Sequence, residues 1–248
     1  MEKINFYNKE GEKLTGILHN SKKKTDKGII LVHGFKGNKD RDLMKNLDKE
    51  LSKEYNIFRF DFSGNGESEG KFEEQSYSKY VEELKIVIDY LKKHNQNIII
   101  IGHSLGGNIT ILEEEKYKNI DKLILLAPAV FDNSDILKRI SLKQIIALIK
   151  GSIILKVFDK QINQLKELKL KRKFFMNILL YNVKKAVKKI KKPILVILAE
   201  KDKAIPLKKS INFYEKNSIK YEVIKDSGHN FREEKHLNEL TKDILKWL

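Results

Sequence analysis

Short apolar runs of strand length alternate with segments of helical period along most of this chain, and that alternation restricts the fold more than any other feature. The runs are Gly28–Val32, Asn56–Phe62, Asn97–Ile101, Lys122–Ala127, Pro193–Leu198 and Lys220–Ile224. Continuous Ile, Leu and Val without polar alternation is the composition of strands buried on both faces. Between and after them, Leu43–Lys53, Tyr77–Lys93, Leu105–Lys116, Leu207–Lys216 and Glu233 to Leu248 carry apolar residues three and four apart, as amphipathic helices do. Strand, helix, strand in succession requires a parallel sheet with crossovers on both faces. At the front, Lys3–Tyr7 and Lys13–Leu18 flank Lys9-Glu10-Gly11, which predicts an antiparallel hairpin on the sheet edge. The expectation is an α/β fold of about eight strands in a single domain over 1–248, a length that can enclose one large core.

One stretch interrupts the alternation. From about 131 to 189 the apolar spacing predicts helix throughout, and this insertion between two strands is a candidate lid. It is also strongly basic: between Asn133 and Lys192 there are seventeen Lys and Arg against Asp135, Asp159 and Glu167, so the segment holds +14 of the chain's formal +16. Such a surface attracts polyanions, yet a lysine-rich solvated helix face is the simpler account of it. Nucleic acid is not expected as a partner. A weak contact of the lysine-rich lid with lipid or an anionic surface is, because Ile140–Phe158 mixes apolar residues with lysine.

The chain has no cysteine, which excludes disulfides, thiolate metal sites and a thiol nucleophile. No run of eighteen apolar residues occurs, and Met1-Glu2-Lys3-Ile4-Asn5 lacks the layout of a secretory signal, so a soluble, cytoplasmic protein is expected, monomeric or homodimeric. Any nucleophile must be oxygen or nitrogen.

Gly102-His103-Ser104-Leu105-Gly106-Gly107 stands between a strand and a helix. Gly-x-Ser-x-Gly in that context is a sharp turn: the serine occupies a strained backbone position, and the glycines let strand and helix pass closely. A serine hydroxyl needs a base to take its proton. Of the six histidines, His19 is on the edge hairpin, His94 ends a helix and His236 lies within the last helix. His33 and His103 sit in turns that favour scaffolding roles. His229, in Asp226-Ser227-Gly228-His229 directly after the last strand, is placed over the C-terminal sheet edge. The imidazole needs a carboxylate. Asp202 follows the strand ending at Leu198 and gives the order Ser, Asp, His, whereas Asp226 suits a turn. The backbone amides of Phe35 and Leu105 are the expected oxyanion donors.

With these motifs the chain resembles the α/β-hydrolase superfamily over nearly its whole length. Within it, His33-Gly34-Phe35-Lys36-Gly37-Asn38-Lys39, Phe60-Asp61-Phe62-Ser63-Gly64-Asn65-Gly66-Glu67-Ser68-Glu69-Gly70, the Ser104 turn and Ser227-Gly228-His229 are similar to the bacterial cinnamoyl and feruloyl esterases. Many relatives have histidine where this chain has Asn65, and glycine where it has Ala199. The resemblance implies hydrolysis of a small-molecule carboxylic ester through an acyl-enzyme, with no metal and no organic cofactor. Monoacylglycerol lipases, thioesterases and acyltransferases share the same core motifs, and a non-catalytic binding module is the remaining alternative.

Overall fold

The computed structural model describes residues 1–95, 97–118, 120–130, 142–159 and 164–248. An eight-stranded sheet runs through the molecule in the order β1-β2-β4-β3-β5-β6-β9-β10. Its strands are β1 (Glu2–Tyr7), β2 (Lys13–His19), β3 (Lys27–Val32), β4 (Asn56–Phe60), β5 (Asn97–His103), β6 (Lys122–Leu126), β9 (Ile194–Ala199) and β10 (Tyr221–Ile224). β1 pairs antiparallel with β2, and β2 with β4; every other pairing in the sheet is parallel. The expected eight-stranded α/β sheet with its edge hairpin is therefore present.

The two-residue period of the strands divides the core. Ile30, Val32, Ile98, Ile100, Leu123, Leu125, Val196 and Leu198 face helices α2 (Tyr77–Lys92) and α3 (Leu105–Tyr117). Their neighbours Ile29, Leu31, Ile99, Ile101, Ile124, Leu126, Leu195 and Ile197 face α1 (Asp42–Leu51) and the C-terminal helix α8 (Glu234–Trp247). Both alternating sets are apolar because both faces are covered by helices. Between β9 and β10 runs α7 (Leu207–Lys216). Among the described residues no helix is long and apolar enough to cross a membrane.

The insertion between β6 and β9 departs from the helical expectation. It contains α4 (Leu142–Ile149), then a separate antiparallel pair, β7 (Ser152–Asp159) with β8 (Gln164–Lys171), then α5 (Arg172–Ile178) and α6 (Val183–Lys189). The expectation of helix throughout 131–189 is thus corrected for 152–159 and 164–171; residues 131–141 and 160–163 lie outside the described residues. Gly151 at φ +108° separates α4 from β7, a backbone position natural only to glycine. Beyond it Ile153, Leu155, Leu168 and Leu170 turn inward while Ile154, Lys156, Glu167 and Lys169 stay exposed. That is a strand period, and in a run this rich in Leu and Lys it is easily read as a helical one.

The insertion is fastened over the sheet's C-terminal edge. Phe174 is buried with ring centroids 5.6 Å from Phe35 and 6.0 Å from Tyr77. Ser78 N–H donates to Asn177 Oδ1 at 2.9 Å, and the Ser78 hydroxyl meets Tyr181 Oη at 2.8 Å. Lys171 pairs with Glu73 and Glu74.

Candidate active site

Ser104 stands at the junction of β5 and α3 with φ 53° and ψ −116°, a conformation that costs an L-residue about 1–3 kcal/mol and persists only where its surroundings enforce it. The enforcement is visible. A Cβ on Gly106 would lie 2.4 Å from the Val32 carbonyl oxygen and 2.6 Å from that of His33, and one on Gly102 would lie 2.7 Å from Gly106 O. The helix start and two strand ends are packed too closely for any side chain.

Three loops at the carboxyl ends of β5, β9 and β10 bring the expected residues together. His229 Nε2 lies 2.9 Å from Ser104 Oγ, and His229 Nδ1 lies 2.7 Å from Asp202 Oδ2. The other Asp202 oxygen accepts from Ala204 N–H at 2.7 Å and Ile205 N–H at 2.8 Å. Burial pushes the Asp202 carboxyl up, but the hydrogen bonds from His229, Ile205 and Ala204 outweigh it and hold the pKa below the ordinary carboxylate value. Asp226, in contrast, is an exposed left-handed turn residue at φ 57°, paired with Lys201 at 2.6 Å.

The Phe35 and Leu105 amides make no hydrogen bond among the described residues, and both residues lie beside Ser104. His33 and His103 hold the scaffold. His33 Nδ1 donates to Gly34 O at 2.8 Å, while its Nε2 accepts from Phe62 N–H at 3.2 Å, which ties the β3 loop to the β4 loop. His103 Nε2 donates to the backbone carbonyl of His229 at 2.9 Å, with the two rings 5.0 Å apart. Burial and the adjacent His229 push the His103 pKa down to about 4, so the ring is neutral near pH 7.

A buried ion pair that the sequence did not single out supports the β3 loop. Lys39 Nζ lies 2.9 Å from Asp61 Oδ2 and 2.5 Å from Glu67 Oε2, and Asp61 also accepts from the Lys39 and Glu67 amides at 2.6 and 2.9 Å. Charged residues spaced as Lys39 and Asp61 are look like surface positions in a linear sequence. Asn65 is buried and donates to Ser63 O at 3.2 Å.

Ser104 and His229 open into a cavity of about 530 Å³, within the range of small-molecule sites. No group of three or more His, Asp or Glu side chains suited to a metal is found among the described residues.

An eight-stranded sheet in this order, with a serine at a strained strand-to-helix turn and Asp and His on the following loops, defines an α/β hydrolase. The chain belongs to the family described as serine aminopeptidase S33, whose model matches residues 23–173, and it is therefore an enzyme, a hydrolase. Two proteins of Mycoplasma genitalium are similar to it. One, named "Putative esterase/lipase 3", is 25% identical over 240 residues, covering 88% of this chain and 85% of that one. The other, named "Putative esterase/lipase 2", is 32% identical over 108 residues, and the match spans only 43% of this chain and 39% of that one. Among solved structures, Est1E of Butyrivibrio proteoclasticus with ferulic acid bound is 25% identical, with a TM-score of 0.79 over 98% of this chain and 97% of that one.

Proposed function

We propose that the chain is a serine carboxylesterase acting on small to medium acyl esters, with Ser104 as nucleophile, His229 as general base and Asp202 as its orienting carboxylate. The observation that carries this reading is the continuous hydrogen-bonded chain from Ser104 through His229 to Asp202 at the mouth of a cavity. The names of the relatives supply the preference for esters over other acyl compounds.

In the first half-reaction Ser104 Oγ bonds to the ester carbonyl carbon and its proton passes to His229 Nε2. Negative charge collects on the carbonyl oxygen, where the free Phe35 and Leu105 amides supply two donors. His229 then returns the proton to the departing alcohol oxygen, the C–O bond breaks, and an acyl-Ser104 ester remains. Water enters, loses a proton to His229 and releases the acid by the same steps.

The insertion acts as the lid over the acyl side. Phe35, on the oxyanion loop and in the cavity lining, has Phe174 of the insertion and Phe72 with ring centroids at 5.6 Å each, an aromatic cluster behind the cavity that favours aryl or cinnamoyl-type acyl groups. Ile146, Ile149, Ile154, Met176 and Leu180 are exposed on the same insertion among its lysines, the pattern of a surface that meets an amphiphile or an anionic interface.

The test is hydrolysis of p-nitrophenyl acetate, butyrate and octanoate and of methyl ferulate by the native chain and by Ser104→Ala. An aminoacyl p-nitroanilide serves as the amide control that the family description calls for. Loss of roughly a million-fold in kcat in the variant, as in other enzymes where such residues act as a unit, supports the mechanism. Equal activity of the two proteins would sink it. Added acceptor alcohols distinguish hydrolysis from acyl transfer by product analysis.

A further inference from the structure

We infer that the cavity at Ser104 binds an oxyanion, a carboxylate or phosphate, through Lys36, Arg41 and Arg232, and that the enzyme selects esters carrying such a group. The inference rests on the esterase reading for its catalytic half and on the cavity alone for its binding half.

All three cations line the cavity that holds Ser104 and His229. Three basic residues near the site are matched by acids: Lys39 by Asp61 and Glu67, Arg59 by Asp48 and Asp40, Lys201 by Asp226. The three that line the cavity are not. Among the described residues no carboxylate pairs with Lys36, Arg41 or Arg232. Arg41 uses one guanidinium nitrogen on Lys36 O at 3.1 Å, and its Nε is buried with no hydrogen-bond partner. Lys36 is held in the left-handed region at φ 58° with its ammonium over the Phe35 ring at 5.5 Å.

The two acids on the same wall do not cancel this charge. Asp40 is engaged by Arg59 at 2.6 Å and by Lys39 at 3.1 Å, and Asp42 is exposed in the first turn of α1. Burial and the like charge of Arg41 hold the Lys36 ammonium below its ordinary value, with no acid opposing them. Two neighbouring cations that repel each other are stabilised when an anion enters between them. A buried guanidinium N–H without an acceptor is an incomplete hydrogen-bond set. An incoming carboxylate or phosphate satisfies both conditions within the cavity that a bound ester must occupy.

Two matched substrate pairs test the catalytic half: monomethyl adipate against methyl hexanoate places the charge on the acyl side, and carboxymethyl butyrate against propyl butyrate places it on the alcohol side. In at least one pair the charged ester is expected to have a kcat/KM about tenfold higher at low ionic strength, with the ratio shrinking in salt. Arg41→Gln and Arg232→Gln are each expected to lower that ratio about fivefold or more, and Arg41→Lys to retain most of it. Calorimetric titration of Ser104→Ala with adipate and with inorganic phosphate tests the binding half without turnover, and shows which oxyanion is preferred. If the native chain hydrolyses the neutral esters but prefers neither charged partner, the selectivity is refuted while the esterase reading stands. If no ester is turned over, the esterase reading falls and the titrations decide: saturable binding weakened by Arg232→Gln upholds the oxyanion site, and no binding of either anion overturns it.

Discussion

Replacing Gly106 by alanine probes the tightest contact behind the nucleophile. The added Cβ would stand 2.4 Å from Val32 O and 2.6 Å from His33 O, whereas ordinary carbon–oxygen contact lies near 3.4 Å, so α3 and the end of β3 must separate by about 1 Å. Both neighbours are backbone, Val32 at the end of β3 paired with β5 and His33 next to it with its ring bonded to Phe62 N–H, so neither can rotate away as a side chain would. Overpacking of this kind costs about 1–3 kcal/mol, offset by less than about 1 kcal/mol of improved helix propensity at the first turn. A net loss of roughly 1–2 kcal/mol follows, read as a lower urea midpoint at unchanged m value. The separation also moves the Leu105 amide relative to Phe35, since His33 precedes the loop that carries Phe35. A displacement of about 1 Å at reacting groups costs on the order of a hundredfold in rate, so kcat on p-nitrophenyl butyrate should fall about that much. Gly228→Ala is the control, because a Cβ there meets nothing within 4 Å. Native stability and native kcat in Gly106→Ala would refute the close-packing account of the serine turn.

His103→Phe keeps the ring but removes the donor to the His229 carbonyl; kcat is expected to fall about tenfold with little change in KM, the mark of lost positioning, measured by steady-state kinetics. Lys39→Met leaves the fully buried Asp61 without its ammonium, and breaking such a pair costs about 3–5 kcal/mol, checked by denaturant unfolding. Glu113 on α3 is fully buried with both carboxylate oxygens unpartnered, and burial followed by the charge of Glu114 raises its pKa to about 8. Its protonated form therefore stabilises the fold fully below the unfolded value near 4.5, and that stability is lost as pH rises toward 8. Glu113→Gln should consequently gain roughly 2–4 kcal/mol over the native chain at pH 8 and little at pH 4, by thermal or denaturant unfolding at both pH values.

Much of the architecture was legible because its cause is local. The four central strands β3, β5, β6 and β9 have Ile, Leu or Val on both faces, which only a sheet covered on both sides by helices can bury, and the Ser104 turn announces itself through glycines whose missing Cβ atoms are sterically required. The order Ser104, Asp202, His229 could be read along the chain because each residue stands in the turn or loop after a strand, and parallel strands deliver their ends to one edge. Local pattern failed in 152–159 and 164–171, where leucines and lysines satisfy a helical and a strand period alike until the pairing of the two strands decides between them.

Sequence alone determined the eight-stranded α/β sheet, the serine turn and which three loops meet at its edge, since these follow from backbone sterics and from the burial of apolar faces. Only the tertiary structure decided that His103 braces the backbone of His229, that Lys39 and Asp61 are an internal pair rather than surface charges, and that Lys36, Arg41 and Arg232 converge on one cavity without matching acids. Charge pairing acts over a few ångströms in space and carries no period along the chain, so a residue's partners, or its lack of them, exist only once distant segments are packed together.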